Sequence, residues 1–91
     1  MVDHAKQVTV TGRVQGVGFR AWAKGRAVGL GLSGWVRNEA DGSVALLIAG
    51  AEADVAEMIA SLHRGPRFAR VEMVAEAEAV APEAAGFTVL G

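Results

Sequence analysis

Leu32-Ser33-Gly34-Trp35-Val36-Arg37-Asn38-Glu39-Ala40-Asp41-Gly42-Ser43-Val44-Ala45-Leu46-Leu47-Ile48-Ala49 is the stretch on which the fold turns. Leu32 to Arg37 reads as one strand and Val44 to Ala49 as the next, and Asp41-Gly42 between them supplies the positive φ that a hairpin turn demands. Upstream, Gln7 to Val14 alternates, with Val8, Val10 and Val14 on one side of the pleat and Gln7, Thr9, Thr11 and Arg13 on the other, the period of a half-buried strand. A glycine turn, Gln15-Gly16-Val17-Gly18, leads into Phe19, Trp22, Ala23, Arg26, Ala27 and Leu30, three and four apart as on one helix stripe. Gly25 and Gly29 weaken that helix by roughly 1 kcal/mol each relative to Ala, and Gly31 is its expected C-terminal stop.

Downstream of the hairpin, Val55, Met58, Ile59 and Leu62 repeat at helical spacing between Asp54 and Arg64, and Gly65-Pro66 ends that helix. Phe68 to Glu78 reads as a fourth strand, with Val71 and Met73 facing inward and Glu72, Glu76 and Glu78 on the polar side. After a loop around Pro82, Phe87 to Leu90 offers a short fifth strand at an edge. The order strand, helix, strand, strand, helix, strand predicts a split βαβ arrangement, an α+β ferredoxin-like α/β sandwich in which two helices cover one face of a mostly antiparallel sheet. Trp35, Leu47 and Val74 are expected to share the uncovered face. At 91 residues the chain is expected to form a single domain, 1–91.

Composition narrows the function classes. Hydrophobic residues make up 52% of the chain, enough for a core, while 21% charged residues with a net charge of −1 give no basic surplus of the kind that nucleic-acid binding draws on. Trp35 is the main aromatic on the strands, too little for a base-stacking platform, so no nucleic-acid partner is expected. Cysteine is absent, which removes disulfides, thiolate nucleophiles and Cys-based metal sites together. The longest clean apolar run, Val44 to Ala49, falls far short of the roughly 20 residues of a membrane helix. With the polar start Met1-Val2-Asp3-His4, a cytoplasmic protein without a membrane partner is expected, and a monomer.

The turn Gln15 to Gly18 is where local chemistry becomes unusual. Two glycines in three residues let successive amides point into one concavity, and the following helix adds its unpaired N–H groups and positive dipole end, so an anion is favoured. Arg20 stands at that helix start, where a cation opposes the dipole; it is either a solvated arginine or one held for an anionic ligand. Neither the GxxxxGK[ST] loop nor a dinucleotide fingerprint is present, which argues against a nucleotide. Asn38 ends the second strand, and a lone Asn there is commonly a turn residue bonding its own backbone. His4, at a terminus expected to fray, and His63, at a helix end, are weak metal or catalytic candidates, and Ser33, Ser43 and Ser61 have no neighbouring base in sequence. No metal site is expected.

Two segments in order, Gly12-Arg13-Val14-Gln15-Gly16-Val17-Gly18-Phe19-Arg20 and Gly34-Trp35-Val36-Arg37-Asn38 continuing through Gly42, Val44 and Gly50, resemble the paired signatures of the acylphosphatase family. The resemblance implies a hydrolase acting on acid anhydrides that cleaves acyl phosphates to a carboxylate and inorganic phosphate without metal or organic cofactor. By it, Gln15, Gly16, Val17, Gly18 and Phe19 form a phosphate cradle through their amides, Arg20 binds the phosphate and Asn38 orients the attacking water. Inorganic phosphate is then both product and inhibitor. A reading from another class, a non-catalytic anion-binding module that keeps the loop as a scaffold, needs neither Arg20 nor Asn38.

Overall fold

The computed structural model describes residues 4–91; the polar start Met1-Val2-Asp3 lies outside the described residues. In chain order the elements are β1 (His4–Arg13), α1 (Phe19–Gly29), β2 (Ser33–Asn38), β3 (Val44–Gly50), α2 (Glu52–Arg64), β4 (Arg70–Glu78) and β5 (Phe87–Leu90). The strands form one sheet in the order β4-β1-β3-β2-β5, antiparallel throughout except that β5 runs parallel to β2. This is the ferredoxin-like α+β arrangement anticipated from the element order, with the fifth strand present at an edge.

The period-two patterns set which face is buried. Val8 and Val10 of β1 lie opposite Leu46 and Val44 of β3, and Val36 of β2 lies opposite Leu46 on the other side. Phe19, Ala23 and Ala27 of α1 and Val55, Met58 and Leu62 of α2 join these strand residues in one buried cluster, so both helices cover the same face. The other face carries Gln7 and Trp35 opposite Leu47, and Thr9 and Arg37 opposite Ala45. Val36, Leu46, Ile48, Met58 and Leu62 are fully buried; enclosing a side chain of that kind contributes about 1.5–3 kcal/mol each.

The helix ends follow their sequence signals. Beyond α1, the Gly31 N–H donates to the Val28 carbonyl at 3.0 Å and the Leu32 N–H to the Ala27 carbonyl at 2.9 Å, with Gly31 at φ +70°. These paired bonds satisfy the last carbonyls and turn the buried Leu32 back into the core, which is why Gly31 stops the helix. Gly25 survives inside α1 on its exposed side, and an added Cβ there meets nothing within 4 Å. Gly25→Ala is therefore expected to raise the unfolding free energy by about 0.5–1 kcal/mol without changing the fold, measurable as a higher urea midpoint at unchanged slope.

β4 departs from the alternation expected of it. Thr11 pairs with Met73 but Gly12 pairs with Val71, so Glu72 is an extra residue in a bulge. The bulge reverses the phase of the strand: Val71 and Val74 pack against the core, whereas Met73, expected to face in, is 61% exposed on the open face. Val74 accordingly does not share the open face with Trp35 and Leu47. Glu76 and Glu78 continue the Val74 face beyond the core and meet Lys6 of β1. Phe68, expected to begin the strand, precedes it and is 72% exposed. His4, expected in a frayed end, is instead the first residue of β1, paired with Gly50.

Candidate functional site

β1 ends at Arg13, and the chain reaches α1 through a tight bend in which Gly16 has φ +74° and Gly18 φ +80°, while among the described residues none other than glycine has positive φ. The sign of φ thus alternates along residues 15–19, the backbone pattern that converges N–H groups into an anion-binding concavity. A Cβ on either glycine meets nothing within 4 Å, so backbone conformation, not space, demands glycine here. Gly18 caps α1 with no side-chain hydrogen bond, and the first turn holds no acidic residue. The first amides and the positive end of the helix dipole are consequently not satisfied by a capping side chain or a carboxylate. Phe19 anchors this helix start: it is buried and meets the Trp22 ring edge-on, with centroids 5.3 Å apart.

A hollow of about 250 Å³ opens at this point, lined by Val14, Gly18, Phe19, Arg20, Ala21, Asn38 and Val89. Arg20 and Asn38, which come from α1 and from the end of β2, border the same space. Arg20 is half-buried, and its Nη1 donates to the Gly91 carbonyl oxygen at 2.6 Å; among the described residues its side chain makes no other hydrogen bond. The parallel pairing of β5 with β2, which sets Val89 opposite Val36 and Leu90 opposite Arg37, carries Val89 to the wall of the hollow and Gly91 toward Arg20. Asn38 is the last ladder residue of β2, opposite Val44, and is half-buried.

Of the residues expected to hold phosphate, Gly18, Phe19 and Arg20 line the hollow, whereas Gln15, Gly16 and Val17 are not part of its wall. Val17 packs against the core cluster. The side chain of Gln15 turns the other way, and its Nε2 donates to the carbonyl oxygens of Glu39 at 2.8 Å and Ser43 at 2.9 Å. Val14, Ala21, Val89 and the Gly91 carbonyl are additions that sequence reasoning missed. Only the parallel placement of β5 could have revealed the last two, and no local pattern signals it.

The turn below Asn38 is internally braced. Glu39 N–H donates to the Ser43 carbonyl at 2.8 Å and Gly42 N–H to the Glu39 carbonyl at 3.1 Å. The Asp41 carboxylate accepts from both the Ser43 hydroxyl at 2.6 Å and the Ser43 N–H at 2.9 Å, and these bonds, the hydroxyl first, hold the Asp41 pKa below its ordinary value. With a depressed folded pKa, this contribution to the turn is present above the ordinary carboxylate range and is lost as pH falls through the lowered value.

A larger open hollow of about 540 Å³, which shares no lining residue with the one at Arg20 and Asn38, lies between α2 and the β1–β4 edge, lined by His4, Lys6, Glu52, Val55, Ala56, Ile59, Glu76 and Glu78. Its three carboxylates disfavour an anionic ligand, and its lysine is already engaged: the hydrogen bond that the Lys6 ammonium donates to Glu78 raises the Lys6 pKa, and the same bond lowers that of Glu78. Among the described residues no group of three or more His, Cys, Asp or Glu is disposed to hold a metal ion, and no helix is long and apolar enough to cross a membrane.

The acylphosphatase family profile matches residues 6–89, which include the bend, Arg20 and Asn38. The chain belongs to the acylphosphatase family. An acylphosphatase from Rhizobium etli is 57% identical over 76 residues, 81% of each chain. Among solved structures, an acylphosphatase from Coxiella burnetii superposes with a TM-score of 0.92 at 35% identity, covering 97% of this chain and 93% of the other. Another, the acylphosphatase from Bacillus subtilis, superposes with a TM-score of 0.91 at 31% identity, covering 97% and 99%. Acylphosphatase membership and the five-stranded fold therefore agree over nearly the full length.

Proposed function

We propose that this acylphosphatase family member hydrolyses carboxyl-phosphate mixed anhydrides in the cytoplasm as a single domain, 1–91, and as a monomer. Arg20 and the amides of the bend bind the phosphate, and Asn38 orients the water. The observation that carries the reading is the shared hollow: Arg20, the uncapped amides at Gly18 and Phe19, and Asn38 border one space.

Phosphoryl transfer asks a protein mainly for positioning and charge stabilisation, which a guanidinium and a ring of amides supply. Arg20 engages two phosphate oxygens through its planar fork. Asn38, too weak a base to take a proton, hydrogen-bonds the water and aligns its oxygen with phosphorus. As the new P–O bond forms, the bond from phosphorus to the acyl oxygen breaks and its electron pair leaves on the carboxylate. The water's proton passes to a phosphate oxygen. A carboxylate whose acid has a pKa of about 4 departs without protonation, so no general acid is needed. The reading fits a site whose lining holds no histidine and no carboxylate.

The test is release of phosphate from benzoyl phosphate by the purified protein. Turnover with competitive inhibition by inorganic phosphate and no response to chelator is expected. Absence of turnover by well-folded protein that still binds phosphate overturns the enzyme in favour of an anion-binding module.

A further inference from the structure

We infer that Gln15 is a positioning residue for Asn38: its carboxamide ties the phosphate cradle to the turn that holds Asn38 in place. Both donors of its amide group are committed to backbone carbonyls, Glu39 O at 2.8 Å and Ser43 O at 2.9 Å, across 24 and 28 residues of sequence. These are the same two carbonyls that close the hairpin turn from within, through the N–H groups of Gly42 and Glu39. Gln15 therefore joins the bend to the closing bonds of the turn itself, and the part-buried setting of both bonds shields them from competition by water.

Asn38 stands directly before this clamp. On its other side Arg37 lies over the Trp35 ring at 4.5 Å, and its Nε donates to Glu39 Oε1 at 2.7 Å. The residues flanking Asn38 are thus held from two directions, by the open sheet face at Arg37 and by the bend at Glu39. Asn38 itself makes no side-chain hydrogen bond among the described residues, so its aim depends on where the strand end is held. A shift of about 1 Å in a group that aligns a reacting molecule can cost about a hundredfold in rate. Both hydrogen bonds of the Gln15 side chain fix the distance between cradle and strand end.

The inference rests on the function proposed above, and its test has one arm that depends on catalysis and one that does not. In benzoyl phosphate turnover, Gln15→Ala is expected to lower kcat about tenfold while leaving the inhibition constant for phosphate within about a factor of two, because the bend amides and Arg20 remain. In an Asn38→Ala background the same substitution is expected to change kcat by less than about twofold, since a residue acting through Asn38 has nothing left to position. An equal loss in both backgrounds, or an unchanged kcat in the first, overturns the inference.

The second arm reads the Asn38 side-chain amide signals in ¹H–¹⁵N spectra, which Gln15→Ala is expected to shift or broaden while the backbone signals of Gly18 to Arg20 stay in place; unmoved Asn38 signals overturn it. Gln15→Met keeps the length of the side chain without a donor and serves in both arms should the alanine variant fail to fold. If the wild-type protein does not turn over benzoyl phosphate, the proposed function falls and the spectra still decide the role of Gln15.

Discussion

Arg20→Ala is expected to lower kcat/KM for benzoyl phosphate by at least about a thousandfold while leaving the circular dichroism spectrum unchanged. The fold should survive because Arg20 is half-buried and its side chain gives up only the bond to the Gly91 carbonyl, and a hydrogen bond from a charged donor contributes no more than about 1.5–3 kcal/mol net. The chemical loss is larger because charge gathers on the phosphate oxygens as the anhydride bond breaks, and removing one preorganised donor from such a site commonly costs about 10² to 10³. Arg20 adds a full charge to that donor. Arg20→Lys should be nearly as damaging, since an ammonium is a point charge and does not reproduce a fork that meets two oxygens at once. Turnover of Arg20→Ala within a few-fold of wild type, with the protein folded, contradicts the assigned role.

Asn38→Ala is expected to reduce kcat by about a hundredfold or more with KM changed by no more than about threefold. The asymmetry follows from its place: Asn38 borders the hollow from β2, whereas the bend and Arg20 at the start of α1 provide the charge that binds phosphate. A group that acts on the water contributes to the transition state and little to the bound substrate, so its loss appears in turnover. Equal losses in kcat and in affinity would assign Asn38 to phosphate binding instead. Stability should change little, because β2 keeps its backbone ladder through Asn38 and Val44 whatever the side chain.

Much of this site was legible from local chemistry. The hairpin followed from two apolar strands around Asp41-Gly42, and the bend from glycines placed where φ is positive, +74° and +80°. Both signals are local, because a turn's backbone demand falls on the residues that make it. β4 was misread for the opposite reason: the bulge at Glu72 is set by pairing with Gly12 and Thr11 of a distant strand, and nothing in Val71-Glu72-Met73-Val74 announces the change of phase. The same limit hid the wall of the hollow. Val89 and the Gly91 carbonyl reach Arg20 only through the parallel pairing of β5 with β2, and the bonds of the Gln15 carboxamide to the carbonyls of Glu39 and Ser43, 24 and 28 residues away, have no local signal either.

The most direct measurement is a crystal structure of the wild-type protein at saturating inorganic phosphate. The anion is expected against the amides of Gly18, Phe19 and Arg20, held by two guanidinium nitrogens, with the Asn38 carboxamide turned toward a water in line with phosphorus. A phosphate seated instead beside Lys6 and His4, or a hollow without an anion while Arg20 stays on the Gly91 carbonyl, contradicts it.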